Sequence, residues 1–420
     1  MIVYLPRVVD GELDERLASS GAVLIEGPKA CGKTETATRR ASSIVRFDTN
    51  AAARAQVDLN PEALFDQPVP ILFDEWQRVP AIWDHVRRRV DDLRRRGQFI
   101  LTGSATPTDS RELHSGAGRI STLQMRPMSL FESGHSTGEV SLAALLRGED
   151  QQARITKTTV PELMERIVVG GWPVLLGEEE RIARRWLSDY LRQIVEVDIP
   201  SLGTTRRAPE RLRRALAALG RSVGQPVKLT ELCADIGGSD GRLPARETVL
   251  AYLDALDRLK LTESSPSWRP HMRSRTRLRK APVRYFVDPS LGTAALGVGS
   301  KDLLADPRAA GFHFEALVLR DLRVYAQPLE GTVSAWREAH GRKEIDAIVE
   351  TPTTWAAFEV KLTGSQSVID SAAQRLLDFA SEIDTDRHGA PAALVVVTAI
   401  GGGGRRSDGV HVVPIAALGP

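Results

Sequence analysis

Cysteine is scarce: Cys31 and Cys233 are the only two in 420 residues. They cannot build a disulfide framework, and no zinc-ligand spacing surrounds them. Neither sign of charge dominates. Lys and Arg total 56 against 54 Asp and Glu, a net +2, so any preference for a charged partner must lie in local clusters. No apolar run approaches the roughly 20 residues of a membrane helix. The longest, such as residues 392–400 broken at Thr398, are strand-length. Residues 1–10 show no basic-then-apolar leader. No internal repeat is present, and the glycines at 401–404 read as a flexible loop. These absences lead us to expect a reduced, cytoplasmic protein without membrane contact.

What is present suits ordinary folded cores. Hydrophobic residues make up 42% and charged residues 26%, which separates the chain from disordered polymers. Its length calls for more than one core. Short apolar runs at 22–26, 43–48, 69–73, 98–102 and 120–125 read as strands, with helical patterns at 32–42 and 81–96 between them. Continuous apolar strands alternating with helices predict a parallel sheet covered on both faces. Beyond residue 140 strands give way to helical patterns at 142–147, 161–168 and 178–197. Three more helices fill 209–268, and a strand-like stretch follows at 283–287. Helices followed by a basic hairpin read as a winged helix-turn-helix. The last part, from 311, runs helix, strands, helix, strand. We expect an α/β chain in four parts, at 1–140, 141–208, 209–300 and 301–420.

The first of these parts carries a phosphate-binding motif. Gly27, Pro28, Lys29, Ala30, Cys31, Gly32, Lys33 and Thr34 match G-x-x-x-x-G-K-[ST], between a strand and a helix. Backbone N–H groups of such a loop cradle phosphates, and the helix N-terminus adds its dipole. Glu35 follows at the start of that helix. Lys33 is expected to reach the outer phosphates and Thr34 to give an oxygen to Mg²⁺. The apolar strand at 71–73 ends in Asp74 and Glu75. Asp74 is expected to hold the Mg²⁺ through its waters, and Glu75 to polarise the attacking water. The pattern predicts binding and hydrolysis of ATP with Mg²⁺. On the next strand Thr102 or Ser104 either senses the γ-phosphate or caps a turn. Arg119, after Gly116-Ala117-Gly118, reads as a surface arginine or as a finger acting in trans on a neighbouring subunit of a homo-oligomer. Cys31 reads as a small filler or as a redox-sensitive thiol.

These motifs resemble AAA-type ATPases that carry a C-terminal DUF4143 domain. The resemblance rests on GPKACGKT, ILFDEWQRVP, FILTGSA and the stretch around MRPMSLFES. It continues through GGWP at 170–173, DYLRQIVEVDI at 189–199, FVDPSLG at 286–292, FEALV at 314–318, KEIDAIVE at 343–350 and FEVK at 358–361. It implies an AAA-like P-loop sheet, a helical lid, a winged helix and a restriction-endonuclease-like α/β end.

In that last part Asp346 lies on a strand-like segment, and Glu359 and Lys361 alternate on the next one, on a single face. With Glu315 upstream and Gln374 downstream, they resemble the PD-(D/E)xK nuclease pattern. Asp346 and Glu359 would then be metal-binding and Lys361 would stabilise developing charge. Ile345 stands where that pattern has proline. The alternative is a cross-strand salt bridge in an inactive, nuclease-like scaffold. A basic run holding Arg273, Arg275, Arg277, Arg279 and Lys280 suits contact with the phosphates of DNA. The arginines at 87–89 and 94–96 read as a solvated helix face, and Trp172 and Trp186 as core anchors.

Overall fold

The computed structural model describes residues 4–103, 115–202, 209–237, 243–268, 283–338 and 343–420. Five strands open the chain: β1 (Ala22–Glu26), β2 (Ser43–Arg46), β3 (Ile71–Asp74), β4 (Phe99–Gly103) and β5 (Ile120–Gln124). They form one all-parallel sheet in the order β2-β3-β4-β1-β5. β3 and β4 are buried at every position, as expected of strands covered on both faces. One face packs Phe47, Phe65, Phe73 and Phe99 into an aromatic cluster with Trp76 and Val86. On the other face Val23, Ile25, Leu72 and Ile100 join Leu13 and the central helical region in one continuous core.

That helical region begins with Val160–Val169, opened by a capping box between Thr159 and Glu162. The helix Glu180–Gln193 widens at its end into a π-turn, Ile194–Asp198, where the sequence pattern predicts an unbroken helix. Three helices follow, Pro209–Arg221, Leu229–Gly237 and Arg246–Arg258. β6 (Val140–Ser141) precedes them all, and the antiparallel pair β7 (Thr262–Ser265) and β8 (Val283–Phe286) comes after.

The C-terminal sheet contains β9 (Thr332–Arg337), β10 (Glu344–Glu350), β11 (Trp355–Lys361), β12 (Ala393–Thr398), β13 (Gly404–Arg405) and β14 (His411–Pro414). Its order is β13-β14-β12-β11-β10-β9, antiparallel from β9 to β11 and parallel from β11 through β12 to β14. Alternation along β11 serves two layers. Ala356, Phe358 and Val360 meet the helix Pro307–Ala326 side, and Trp355 and Ala357 meet the helix Gln366–Ser381. Every residue of the long helix from Ala316 onward is buried, so it is enclosed all round and sits between layers.

Strand pairing does not stop at residue 140. β15 (Leu418–Gly419) returns to pair with β6, and Leu130, Val140, Leu145 and Ile167 share a core with the C-terminal sheet. Such a two-residue strand has too little periodicity to be read from sequence. Among the described residues no helix is long and apolar enough to cross a membrane.

Candidate functional site

β1 delivers the chain to the phosphate loop at the carboxyl edge of the sheet, where open α/β folds hold ligands. The loop needs unusual backbone: Ala30 has φ 62° and Gly32 φ 106°. A Cβ on Gly27 would lie 2.2 Å from the Met125 carbonyl oxygen, so only glycine lets the loop pass β5 so closely. Lys33 Nζ curls back to donate to the carbonyls of Gly27 and Pro28, at 3.0 and 2.7 Å. The parallel register sets Asp74 beside Thr102. Both Thr34 Oγ1 and Thr102 Oγ1 donate to Asp74 Oδ1, at 2.8 and 2.5 Å. Thr102 thus stands against Asp74; Ser104 lies outside the described residues.

Glu75 leaves β3 in the left-handed region, φ 55°, and its Oε2 accepts from Gln77 Nε2 at 2.5 Å. It borders a cavity of about 760 Å³ together with Lys29, Lys33, Thr34 and Glu35. Tyr4 and Leu5 close one side and Pro173, Val174 and Leu176 another. Apolar walls beside a phosphate loop are what a nucleoside needs. The hydroxyl of Thr34 and the carboxylate of Asp74 are hard oxygen donors of the kind Mg²⁺ takes, so the residues fit that ion.

Sequence reading missed two parts of this site. Arg7 is buried; it donates to the Cys31 carbonyl at 2.9 Å and the Arg126 carbonyl at 2.8 Å, and pairs with Glu132 at 3.0 Å. It clamps the loop and also borders the cavity, and no local pattern marks an arginine so far from the motif. The apolar wall comes from the GGWP segment, whose Trp172 is buried against Trp186 and Tyr190. Cys31 is buried with Sγ toward the Met125 carbonyl, 3.8 Å away, which suits a filler.

Arg119 stands at the opposite edge of the sheet. Its carbonyl accepts from Ala22 N at the start of β1, and its side chain pairs with Asp91 at 2.8 Å. The length of β1, about 13 Å, separates it from its own phosphate loop. At that distance its side chain does not reach the loop of its own chain. The basic run with Arg273, Arg275, Arg277, Arg279 and Lys280 lies outside the described residues. Arg87 and Arg89 pair with Asp84 and Glu62, which suits a solvated face.

In the C-terminal sheet, β10 and β11 bring Asp346, Glu359 and Lys361 together. Lys361 Nζ lies 2.7 Å from Glu359 Oε2 and 3.4 Å from Asp346 Oδ2. Asp346 also accepts from Val360 N at 2.7 Å. A bulge in the β9–β10 pairing between Ile345 and Ile348 re-aims this stretch. Glu315 lies close enough to feel the charges of Asp346 and Lys361, and Tyr285, on β8, donates its hydroxyl to Glu315 Oε1 at 2.6 Å. Gln374 is bonded to Asp378 on the helix surface. The lysine cation already stands between the two carboxylates, and among the described residues no three His, Cys, Asp or Glu side chains form a metal-holding group. The arrangement does not fit a metal as it stands.

Burial pushes the Glu315 carboxyl up to about 8, and Asp346 adds repulsion. Burial also raises Glu359, to about 7, against the pull of Lys361. Raised carboxyls favour the protonated folded state. Their contribution to stability is full below the ordinary glutamate range and is lost as pH rises through about 7 to 8. Glu315→Gln, which keeps an acceptor for Tyr285, is expected to flatten this loss. Urea midpoints at pH 5 and pH 8 check it: the variant gains on the parent at pH 8. A gain equal at both pH values would contradict the assignment.

The strand order and phosphate loop define a P-loop nucleotide-binding fold. Comparison with known families agrees: residues 19–133 match the AAA domain and residues 310–418 a domain of unknown function, DUF4143. The chain thus joins an AAA domain to a DUF4143 domain, as its resemblance implied. A further domain of unknown function, DUF8612, matches residues 160–302. Uncharacterized protein Rv2008c of Mycobacterium tuberculosis and Uncharacterized protein Mb2031c of Mycobacterium bovis are each 26% identical over 373 residues, 87% of this chain and 76% of theirs. A Thermotoga maritima RuvB superposes with a TM-score of 0.27, at 16% identity, over 61% of this chain and 89% of that one. So low a score adds nothing to the fold assignment, which stays with the strand order and the family matches.

Proposed function

We propose that this chain binds ATP with Mg²⁺ in the cavity beside the phosphate loop, hydrolyses it, and couples turnover to DNA through its middle and C-terminal parts. The meeting of Thr34 and Thr102 on one oxygen of Asp74 carries the reading. Two hydroxyls and a carboxylate, fixed beside the phosphate loop, need little reorganisation to receive a nucleotide. In this reading Thr34 and Asp74 hold the Mg²⁺, which would neutralise charge on the phosphates when bound. Lys33 leaves the Gly27 and Pro28 carbonyls for the outer phosphates. Glu75, held by Gln77, takes the proton of the attacking water. Thr102 positions Asp74, and Arg119 serves the nucleotide of a neighbouring copy in a homo-oligomer.

DNA coupling is supported by the order of three helices and a two-stranded antiparallel sheet at 209–286, as in a winged helix. The basic run falls between the two strands. Phosphate release with Mg²⁺, with and without duplex and single-stranded DNA, tests it. Turnover is expected to rise several-fold with DNA. Turnover indifferent to both DNAs would remove DNA from the proposal.

A second reading, a nucleotide-dependent switch whose C-terminal domain does no chemistry, is favoured by one observation. Lys361 stands between Asp346 and Glu359, while Tyr285 of the middle region donates to Glu315. The Tyr285 contact ties β8 to the helix Pro307–Ala326 as a structural joint.

A further inference from the structure

The phosphate loop carries a second lysine, which the nucleotide chemistry above leaves without a task. Lys29 borders the same cavity as Lys33 and Thr34. Its Nζ is turned to Asp198, 2.6 Å away, and its side chain stays half exposed while that of Asp198 is largely covered. The Lys29 carbonyl accepts from the Tyr190 hydroxyl at 3.3 Å. Asp198 closes the π-turn Ile194–Asp198 at the end of the helix that carries Tyr190. Among the described residues Asp198 has no other ion-pair partner. The two contacts thus fasten the loop to this helix and to the irregular turn that ends it, and π-turns inside helices recur where helices do work.

The charges say what would break this contact. Lysine is a compact point charge on a flexible stem, and an ion pair with a half-exposed lysine is weak. A triphosphate brings a terminal group of concentrated negative charge to a loop that already contains Lys29. A diphosphate lacks that group. Resting on the nucleotide-site reading, we propose that the Lys29–Asp198 pair discriminates ATP from ADP. The terminal phosphate draws Lys29 away from Asp198, and ADP leaves the pair closed. Release of Asp198 loosens the π-turn and the short helix Ile199–Ser201 after it, at the entry to the helices that begin at Pro209. Hydrolysis then closes the pair again. No bond other than the ion pair and its hydrogen bond is exchanged.

The two partners make opposite predictions, which a merely structural pair would not. In Asp198→Asn, Lys29 is free from the start, so the affinity for a non-hydrolysable ATP analogue relative to ADP is expected to rise several-fold. In Lys29→Met the terminal phosphate loses its cation, and the same ratio is expected to fall several-fold. Calorimetric titration of the full-length chain with each nucleotide reads both. Hydrogen exchange at amides 194–202 gives the second readout. It is expected to rise in the parent with the ATP analogue and not with ADP, and to be high in every state of Asp198→Asn. Ratios that move the same way in both variants, or stay at the parent value, overturn the proposal. So does exchange at 194–202 that ignores the nucleotide. If the parent binds neither nucleotide, the nucleotide-site reading fails with it. If the parent binds both and the ratios stay put, only this inference fails.

Discussion

Replacing Glu75 by glutamine is expected to slow ATP turnover by about 10²–10⁴-fold, the usual worth of a positioned general base, while ATP binding persists. The geometry singles out Glu75 rather than its neighbour. Asp74 is taken up by Thr34 and Thr102, whereas Glu75 has turned through the left-handed region to face the cavity. A residue with a side chain tolerates that conformation only at a cost, and such backbone collects at working sites. The hydrogen bond it accepts from Gln77 positions the carboxylate without neutralising it. Glutamine keeps the size and an acceptor but cannot take a proton. Single-turnover hydrolysis with a parallel binding titration separates the two effects. Unchanged turnover would move the base elsewhere. Loss of binding together with turnover would make Glu75 part of the cradle.

The second large effect lies far from phosphate. Arg320→Met is expected to destabilise the fold by about 3–5 kcal/mol, the range for stripping one partner from a buried ion pair. Arg320 is fully enclosed between Asp288 and Asp321, at 2.9 and 2.7 Å. Burial pulls its guanidinium down, but the two carboxylates outweigh that and hold it above its ordinary value. Each carboxylate also anchors a distant segment. Asp288 accepts from Gly171 N at 3.0 Å, and Asp321 from Leu130 N at 3.1 Å. The triad thus ties the exit from the AAA sheet, the GGWP segment beside the nucleotide cavity and the long C-terminal helix into one joint. Gly171 itself has no room for a side chain, since a Cβ would lie 1.9 Å from the Met128 carbonyl oxygen. Denaturant unfolding checks the magnitude. Adding Asp288→Asn to Arg320→Met is expected to recover part of the loss, because one of the two stranded charges is removed. A loss under 1 kcal/mol would mean that solvent reaches the triad.

The phosphate loop and the five parallel strands were legible because their chemistry is local. A G-x-x-x-x-G-K-T run after an apolar strand states both its backbone and its ligand, and β1 falls on residues 22–26, as its apolar run predicts. Asp346, Glu359 and Lys361 could be grouped because alternation along adjacent strands is also short-ranged. What stayed hidden is set by contacts distant in sequence. Arg7 meets Glu132 across 125 residues, and β6 meets β15 only when the chain's last strand returns. The π-turn at 194–198 lacks a sequence signal because its widening leaves the apolar spacing of a helix nearly intact. Tyr285 over Glu315 was invisible for the same reason as Arg7: no pattern in either segment names the other.

The central claim is that the cavity beside the phosphate loop turns over ATP. Steady-state phosphate release by the full-length chain with Mg²⁺, set against Lys33→Ala, tests it most directly. The account predicts turnover in the parent that falls to background in Lys33→Ala, since the loop's backbone cannot supply the cation that the outer phosphates need. Equal phosphate release from both proteins would contradict it.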